Sequence, residues 1–155
     1  YRVKLFIIGD GPLRPKLEKA IESLGVGEYV KLPGYIDPQE VPRYLKEAKL
    51  CILPYLDTNL TRVSTPTKLF EYIASGKAVI YPDFPGIIEI LGNQNPGMYR
   101  AGVPGDMLQV IGNLLENDNL RIETESLNRR ISLGYSFDRE MVKILNLYEK
   151  VCGRA

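Results

Sequence analysis

Histidine is absent from this sequence, which excludes Ser-His-Asp triads, Cys-His nucleophile pairs and the usual histidine-bearing zinc sites. Cysteine is scarce. Cys51 lies in an apolar run and Cys152 near the C-terminus, with no CxxC pair and no metal-ligand spacing. They read as a buried structural thiol and a tail thiol, the usage of a reducing compartment, so the cytoplasm is the expected location. Neither sign of charge dominates: 20 basic against 19 acidic residues leave +1. No nucleic-acid surface or acidic polymer is implied as a partner. No apolar run is long enough to cross a bilayer, and no targeting segment is read at the start. Neither GxxxxGK[ST] nor HExxH occurs, which removes the P-loop NTPase and zinc-protease readings. What remains is 155 residues, 45% hydrophobic and 25% charged, the balance of one soluble domain able to bury its own core.

Apolar strand-like runs alternate with helical patterns, without internal repeats. Residues 3–8 read as a buried strand ending at Gly9-Asp10-Gly11. A helix follows with Leu13, Leu17, Ala20, Ile21 and Leu24 on one face, stopped by Gly25. Residues 29–32 form a short strand that turns at Pro33-Gly34, and Asp37-Pro38-Gln39-Glu40 is written as a helix start, ending near Ala48. Residues 50–54 are a second buried strand, followed by a polar loop, a helix over 66–75 and a strand over 78–81. Further on come a short helix over 86–91, a brief strand over 98–100, a helix capped by Asp106 and a polar helix over 120–133. Ser136-Phe137-Asp138 opens a last helix, with Met141, Ile144, Leu145, Tyr148 and Val151 expected on its buried side. Apolar strands separated by helices predict a three-layer, Rossmann-like α/β domain with a parallel sheet covered on both faces. Ligands of such sheets bind beyond the C-terminal strand ends, here after Ile8, Leu32, Leu53 and Tyr81.

The densest signal is residues 64–80. Ser64 or Thr65 is placed to cap a helix, Pro66 suits its first position, and Gly76 follows its last residue. Lys68 and Glu71 stand three apart on one face. The open N–H groups and positive dipole end of such a helix attract phosphate, and a lysine one turn in adds charge. A carboxylate just beyond is placed to accept hydrogen bonds from sugar hydroxyls. The combination suits a nucleoside diphosphate with its ribose.

Other features leave two readings open. Gly9-Asp10-Gly11-Pro12 is a tight strand-to-helix turn or a phosphate loop; Arg14 stands where the dinucleotide fingerprint needs its third glycine. Leu69-Phe70 and Tyr72-Ile73 fit core packing. Lys68 is either solvated or a phosphate ligand, Glu71 a surface residue or a ribose ligand, and Glu89 a helix-start residue or part of a donor site. Glu18, Glu22, Glu40 and Glu47 read as solvated or capping.

The ordered set 5–12, 30–36 and 66–80, joined by Gly86-Ile87-Ile88-Glu89-Ile90 and Tyr135-Ser136-Phe137-Asp138, resembles glycosyltransferase family 4, the group 1 glycosyl transferases. The resemblance runs over nearly the whole chain and matches only the C-terminal, donor-binding half of such enzymes. It implies the C-terminal half of a GT-B fold and a retaining transferase that takes its sugar from a nucleotide-diphosphate donor. No cofactor and no metal is implied in this half, the nucleotide sugar being the substrate. By the same resemblance Gly34, Tyr35 and Ile36 line the nucleobase pocket, Thr67, Lys68 and Leu69 face the donor phosphates, and Glu71 takes the ribose hydroxyls.

Two departures from the family pattern follow. Its signature pairs two glutamates eight positions apart, and the partner of Glu71 is here Val63; Arg62 is a candidate substitute or a solvated loop residue. The family's first strand, loop and helix have no counterpart, and in the order 3-2-1-4-5-6 that strand lies mid-sheet. Residues 1–155 are therefore expected to be a donor-binding domain lacking that unit and the N-terminal acceptor domain of a parent enzyme. Alone, the chain is expected to be inactive and marginally stable or self-associated; the parent is expected in the cytoplasm or peripheral to a membrane. No catalytic residue, acceptor or oligomeric state is assigned. The alternatives are a nucleotide-sugar epimerase of the same fold and a non-catalytic nucleotide-binding or docking module.

Overall fold

The computed structural model describes residues 3–153. Their elements run β1 (Leu5–Ile8), α1 (Arg14–Ser23), β2 (Val30–Gly34), α2 (Val41–Glu47), β3 (Leu50–Ile52), α3 (Asn59–Val63), α4 (Thr67–Ala74), β4 (Ala78–Pro82), α5 (Pro85–Leu91), β5 (Met98–Tyr99), α6 (Pro104–Glu116), α7 (Asp118–Ser132) and α8 (Phe137–Cys152). Every strand pairing is parallel, as the βα alternation requires. The strands form two ladders instead of one sheet: β1 with β2, and β4 between β3 and β5. Among the described residues no strand pairs with the other edge of β1 or of β3. The described residues fall into two compact units, one up to Tyr44 and the other from Leu45 onward.

In the first unit β1 and β2 start in register at Leu5 and Val30 and slip between Phe6 and Ile8. The buried strand expected over residues 3–8 is instead half-exposed, with Leu5 at 42% and Phe6 at 48%. It has a neighbour on one edge only, and no residue of α1 is fully buried. Phe6 meets Tyr44 edge-on at 6.0 Å. β2 continues through Pro33 and Gly34 where a turn was expected. Asp37 does not cap a helix. Its Oδ1 accepts the Gln39 N–H at 2.8 Å, closing a turn, and α2 begins only at Val41.

The second unit is built around β4, each of whose residues is buried. Its side chains alternate between two cores. Val79 and Tyr81 join Leu69 and Ile73 of α4, Ile87 and Leu91 of α5, Leu53 and Phe84. Ala78 and Ile80 join Tyr99 and Leu114 of α6. This sheet therefore has helices on both faces, and here the three layers are complete. The C-terminus of α4 closes as the sequence implies: Gly76 sits at φ 67°, its N–H donates to the Ile73 carbonyl, and Lys77 N–H donates to that of Tyr72.

Polar groups inside this unit are satisfied. Asn95 Nδ2 donates to Asn128 Oδ1 at 2.9 Å, Asn128 Nδ2 to the Lys77 carbonyl at 2.8 Å, and Gly97 N–H to Asn95 Oδ1 at 3.1 Å. The net ties the turn before β5 to α7 and to the turn before β4. Asp106 does not cap α6, which starts at Pro104; its carboxylate accepts the Arg100 N–H at 2.6 Å and pairs with the Arg100 guanidinium. Ser136 does cap α8, accepting from Arg139 N–H. The face of α8 expected to be buried is exposed, with Leu145 at 55%, Tyr148 at 65% and Val151 at 77%. Its amphipathic spacing was legible, but a burying partner is a tertiary matter. Among the described residues no helix is long and apolar enough to cross a membrane.

Two outcomes test this packing. A Cβ built on Gly97 would lie 1.8 Å from the Val79 carbonyl oxygen. Gly97→Ala is therefore expected to destabilise by about 1–3 kcal/mol, the range for overpacking, and an unchanged urea midpoint would show that the backbone yields freely. Burial pushes the Cys51 thiol up to about 12, against a smaller opposing pull from Lys77. At pH 8 a thiol-alkylating reagent should label exposed Cys152 and leave Cys51 untouched until the protein unfolds; equal labelling of both in the folded state contradicts this packing.

Candidate functional site

In the second unit the ends of β3, β4 and β5 lead into the residues that carry polar chemistry. Residues 53–58 leave β3 and reach α3, a helix that the sequence reading took for a polar loop. Thr58 caps it: its Oγ1 accepts the Thr61 N–H at 3.1 Å, while Thr61 Oγ1 accepts the Thr58 N–H at 3.0 Å. This is a capping box with threonine in place of the usual Glu or Gln, and for that reason it is easily missed.

Arg62, in the last turn of α3, is not free. Its guanidinium grips Asp57 at two points, Nε to Oδ1 and Nη2 to Oδ2, the latter at 2.8 Å. The hydrogen bonds from Arg62 hold the Asp57 carboxyl below the usual carboxylate range and raise the guanidinium in turn. Sequence reasoning did not single out Asp57; an acid five residues before the arginine, across a short helix, was the available signal. Val63 is 78% exposed and offers no polar atom.

Thr67, Lys68 and Glu71 lie on the first two turns of α4 with exposed side chains. The expected caps are engaged elsewhere: Ser64 Oγ donates to the Leu60 carbonyl at 2.7 Å and Thr65 Oγ1 to that of Gly86 at 3.4 Å. Pro66 occupies the cap position itself, so no side chain caps the helix. Among the described residues neither the Lys68 ammonium nor the Glu71 carboxylate has a hydrogen bond or ion pair. The Leu69 side chain is fully buried in the core and its N–H donates to the Pro66 carbonyl at 3.0 Å. It follows the core-packing reading.

Asp83, at the end of β4, also went unremarked in the sequence. Its Oδ1 accepts the Ala101 N–H at 2.9 Å, and its charge adds to the raised basicity of Arg62 and Arg100. Glu89 is an exposed residue inside α5 and not at its start. No group of three His, Cys, Asp or Glu side chains is placed to hold a metal ion among the described residues.

In the first unit the structure brings Gly34, Tyr35 and Ile36 to the end of β2. Gly34 is buried at φ 79°, Tyr35 is 77% exposed and Ile36 is half-buried. The Gly34 carbonyl accepts the Gly9 N–H at 2.8 Å, so the chain leaving β1 and the chain leaving β2 are pinned together.

The Asp57–Arg62 pair has a pH signature. Because the folded carboxyl titrates below its ordinary 3.8, the pair is fully formed above that value and is lost as pH falls through the lowered one. A slowly exchanging Arg62 Nε–H resonance is expected at neutral pH and should vanish in Asp57→Asn; its survival in that variant refutes the pairing.

Residues 1–117 match the family described as Glycosyl transferases group 1. The chain is similar to the amylovoran biosynthesis glycosyltransferase AmsK of Erwinia amylovora, 34% identical over 94 residues that cover 59% of this chain and 23% of that protein. Among solved structures it is similar to TarM of S. aureus, crystallised with alpha-GlcNAc-glycerol and UDP: 26% identity, TM-score 0.81, covering 94% of this chain and 29% of that one. It also shares the fold of HepE of Anabaena in complex with UDP, at 16% identity and TM-score 0.78, covering 93% of this chain and 41% of that one. These likenesses make the architecture that of GT-B glycosyltransferases. The chain thus spans between about a quarter and two fifths of the length of these proteins.

Proposed function

Because this chain belongs to the group 1 glycosyl transferases, we propose that it is the donor-binding part of an enzyme that moves a sugar from a nucleotide-diphosphate donor to an acceptor with retention. The observation that carries this reading is the start of α4. Its N-terminus has no side-chain cap, and Lys68 and Glu71 stand on it without polar partners. A diphosphate would accept from the open N–H groups beside Thr67 and from Lys68, and Glu71 would accept from the ribose hydroxyls. Solved relatives with UDP bound support a nucleotide as the ligand.

Catalysis in this part would be electrostatic. As the glycosidic bond to phosphate breaks, negative charge grows on the departing diphosphate, and fixed dipoles with a lysine stabilise it without reorganising. In this reading Gly34, Tyr35 and Ile36 take the nucleobase, no resident cofactor or metal takes part, and the parent works in the cytoplasm. The acceptor and its binding domain lie with the parent enzyme. A non-catalytic nucleotide-binding module is the second reading, and exposed Val63 is the residue that favours it. Transfer activity of the full-length protein separates the two.

In the full-length protein Glu71→Ala should weaken nucleoside diphosphate binding by about 1.5–3 kcal/mol, the range for hydrogen bonds to charged groups, with stability almost unchanged. Calorimetry showing equal affinity in a folded variant overturns the ribose assignment. Val63→Glu should alter the affinity for nucleotide sugar more than that for free nucleotide. No change in either affinity or turnover would remove position 63 from the sugar.

A further inference from the structure

Arg14 is the residue that the sequence reading left without a purpose, standing where a dinucleotide-binding loop has its third glycine. In the structure its guanidinium has three separate polar neighbours. Its Nε donates to Glu18 Oε1 at 2.8 Å, Nη2 donates to the Leu32 carbonyl at 3.1 Å, and Nη1 lies 3.8 Å from Asp10 Oδ2. The same Nη1 is 3.0 Å from the point where a Cβ on Gly34 would be. One planar group therefore joins the first turn of α1, the loop after β1 and the last residues of β2.

Gly34 is consequently held from three directions. Its φ of 79° is a conformation that side chains rarely adopt, its carbonyl is bonded to the Gly9 N–H, and the guanidinium lies in tight contact with the point where a Cβ would sit. The next residue, Tyr35, projects an aromatic ring that is 77% exposed and has no hydrogen-bond or ring partner among the described residues. An aromatic ring on a fixed backbone loses little freedom when a flat ligand stacks on it. A lysine here would keep the charge but lose the fork that reaches Leu32, Glu18 and Asp10 together.

We infer that Arg14 is a positioning residue for nucleobase recognition: it sets the backbone of residues 34–36 so that Tyr35 is presented to the base, without itself touching the ligand. This rests on the proposed donor function and adds to it the residue on which base recognition depends. It makes the contribution of Arg14 specific to the base.

The test compares a ligand that has a base with one that does not. In the full-length protein, affinities for inorganic pyrophosphate and for the tightest binder among UDP, ADP and GDP are measured by calorimetry in wild type, Arg14→Lys and Glu71→Ala. Hydrogen exchange of residues 33–36 and the thermal midpoint are followed alongside. Arg14→Lys should bind the nucleotide about tenfold more weakly and pyrophosphate as wild type does, with faster exchange at residues 33–36 and a midpoint within a few degrees. Gly34→Ala, which presses a methyl on the same guanidinium, should show the same selective loss. Equal effects on both ligands, or none on either, overturn the inference while the donor reading stands on Glu71→Ala. A wild-type protein that binds neither ligand overturns both.

Discussion

The second unit depends on one strand that has no solvent-facing side. β4 is buried along its length, and neighbouring residues point into different cores, Val79 and Tyr81 toward α4 and α5, Ala78 and Ile80 toward α6. A strand in this position must satisfy its backbone through its two neighbours, and both are present: Leu53 N–H reaches the Ile80 carbonyl, and Tyr81 N–H that of Gly97. The approach of Gly97 to Val79 leaves no room for a side chain. The buried amide pair Asn95–Asn128 then fixes where the chain enters β4 and β5. Burial of this kind excludes polar function from the strand itself and moves it to the loops at its end.

Those loops divide into engaged and unengaged charges. Arg62 and Arg100 each lie in a fork with a carboxylate, Asp57 and Asp106, so each pair is close to neutral. Lys68 and Glu71 have no such partners. A charge already paired inside the protein gains less from a ligand than one facing water alone. This asymmetry makes α4 the place to look for ligand chemistry and makes the Asp57–Arg62 pair a brace for the short helix before it.

Much of this was legible in the sequence where the signal is local. The C-terminus of α4 follows from Gly76, the start of α8 from Ser136, and β4 from a run of apolar residues between helices. What escaped was set by partners distant along the chain or by an unusual local pattern. Asp106 looks like a cap until Arg100, six residues earlier, claims it. Asp37 closes a turn where a helix start was written. The capping box of α3 uses Thr61 where Glu or Gln is the usual sign. Whether the apolar faces of β1 and α8 are covered depends on neighbours that no periodicity reveals. Lys68 and Glu71 are candidates from their spacing on a helix start, Asp57 had a sequence signal that went unread, and the engagement of Arg14 required three dimensions.

The tyrosines give the protein its own optical gauge. There are ten of them and no tryptophan, so near-ultraviolet absorbance comes almost entirely from phenol rings. Tyr81 and Tyr99 donate their hydroxyls to the Gly92 and Leu53 carbonyls, and burial raises both above the ordinary phenol range. Burial likewise pushes Tyr72 up to about 12. These interior rings therefore hold their protons as the solution turns alkaline, for as long as the fold lasts. The stability that these groups contribute is complete below the ordinary phenol value and drains away as pH climbs toward the raised ones. A spectrophotometric alkaline titration of unlabelled protein thus follows the interior phenols, and their ionisation marks the opening of the core around β4.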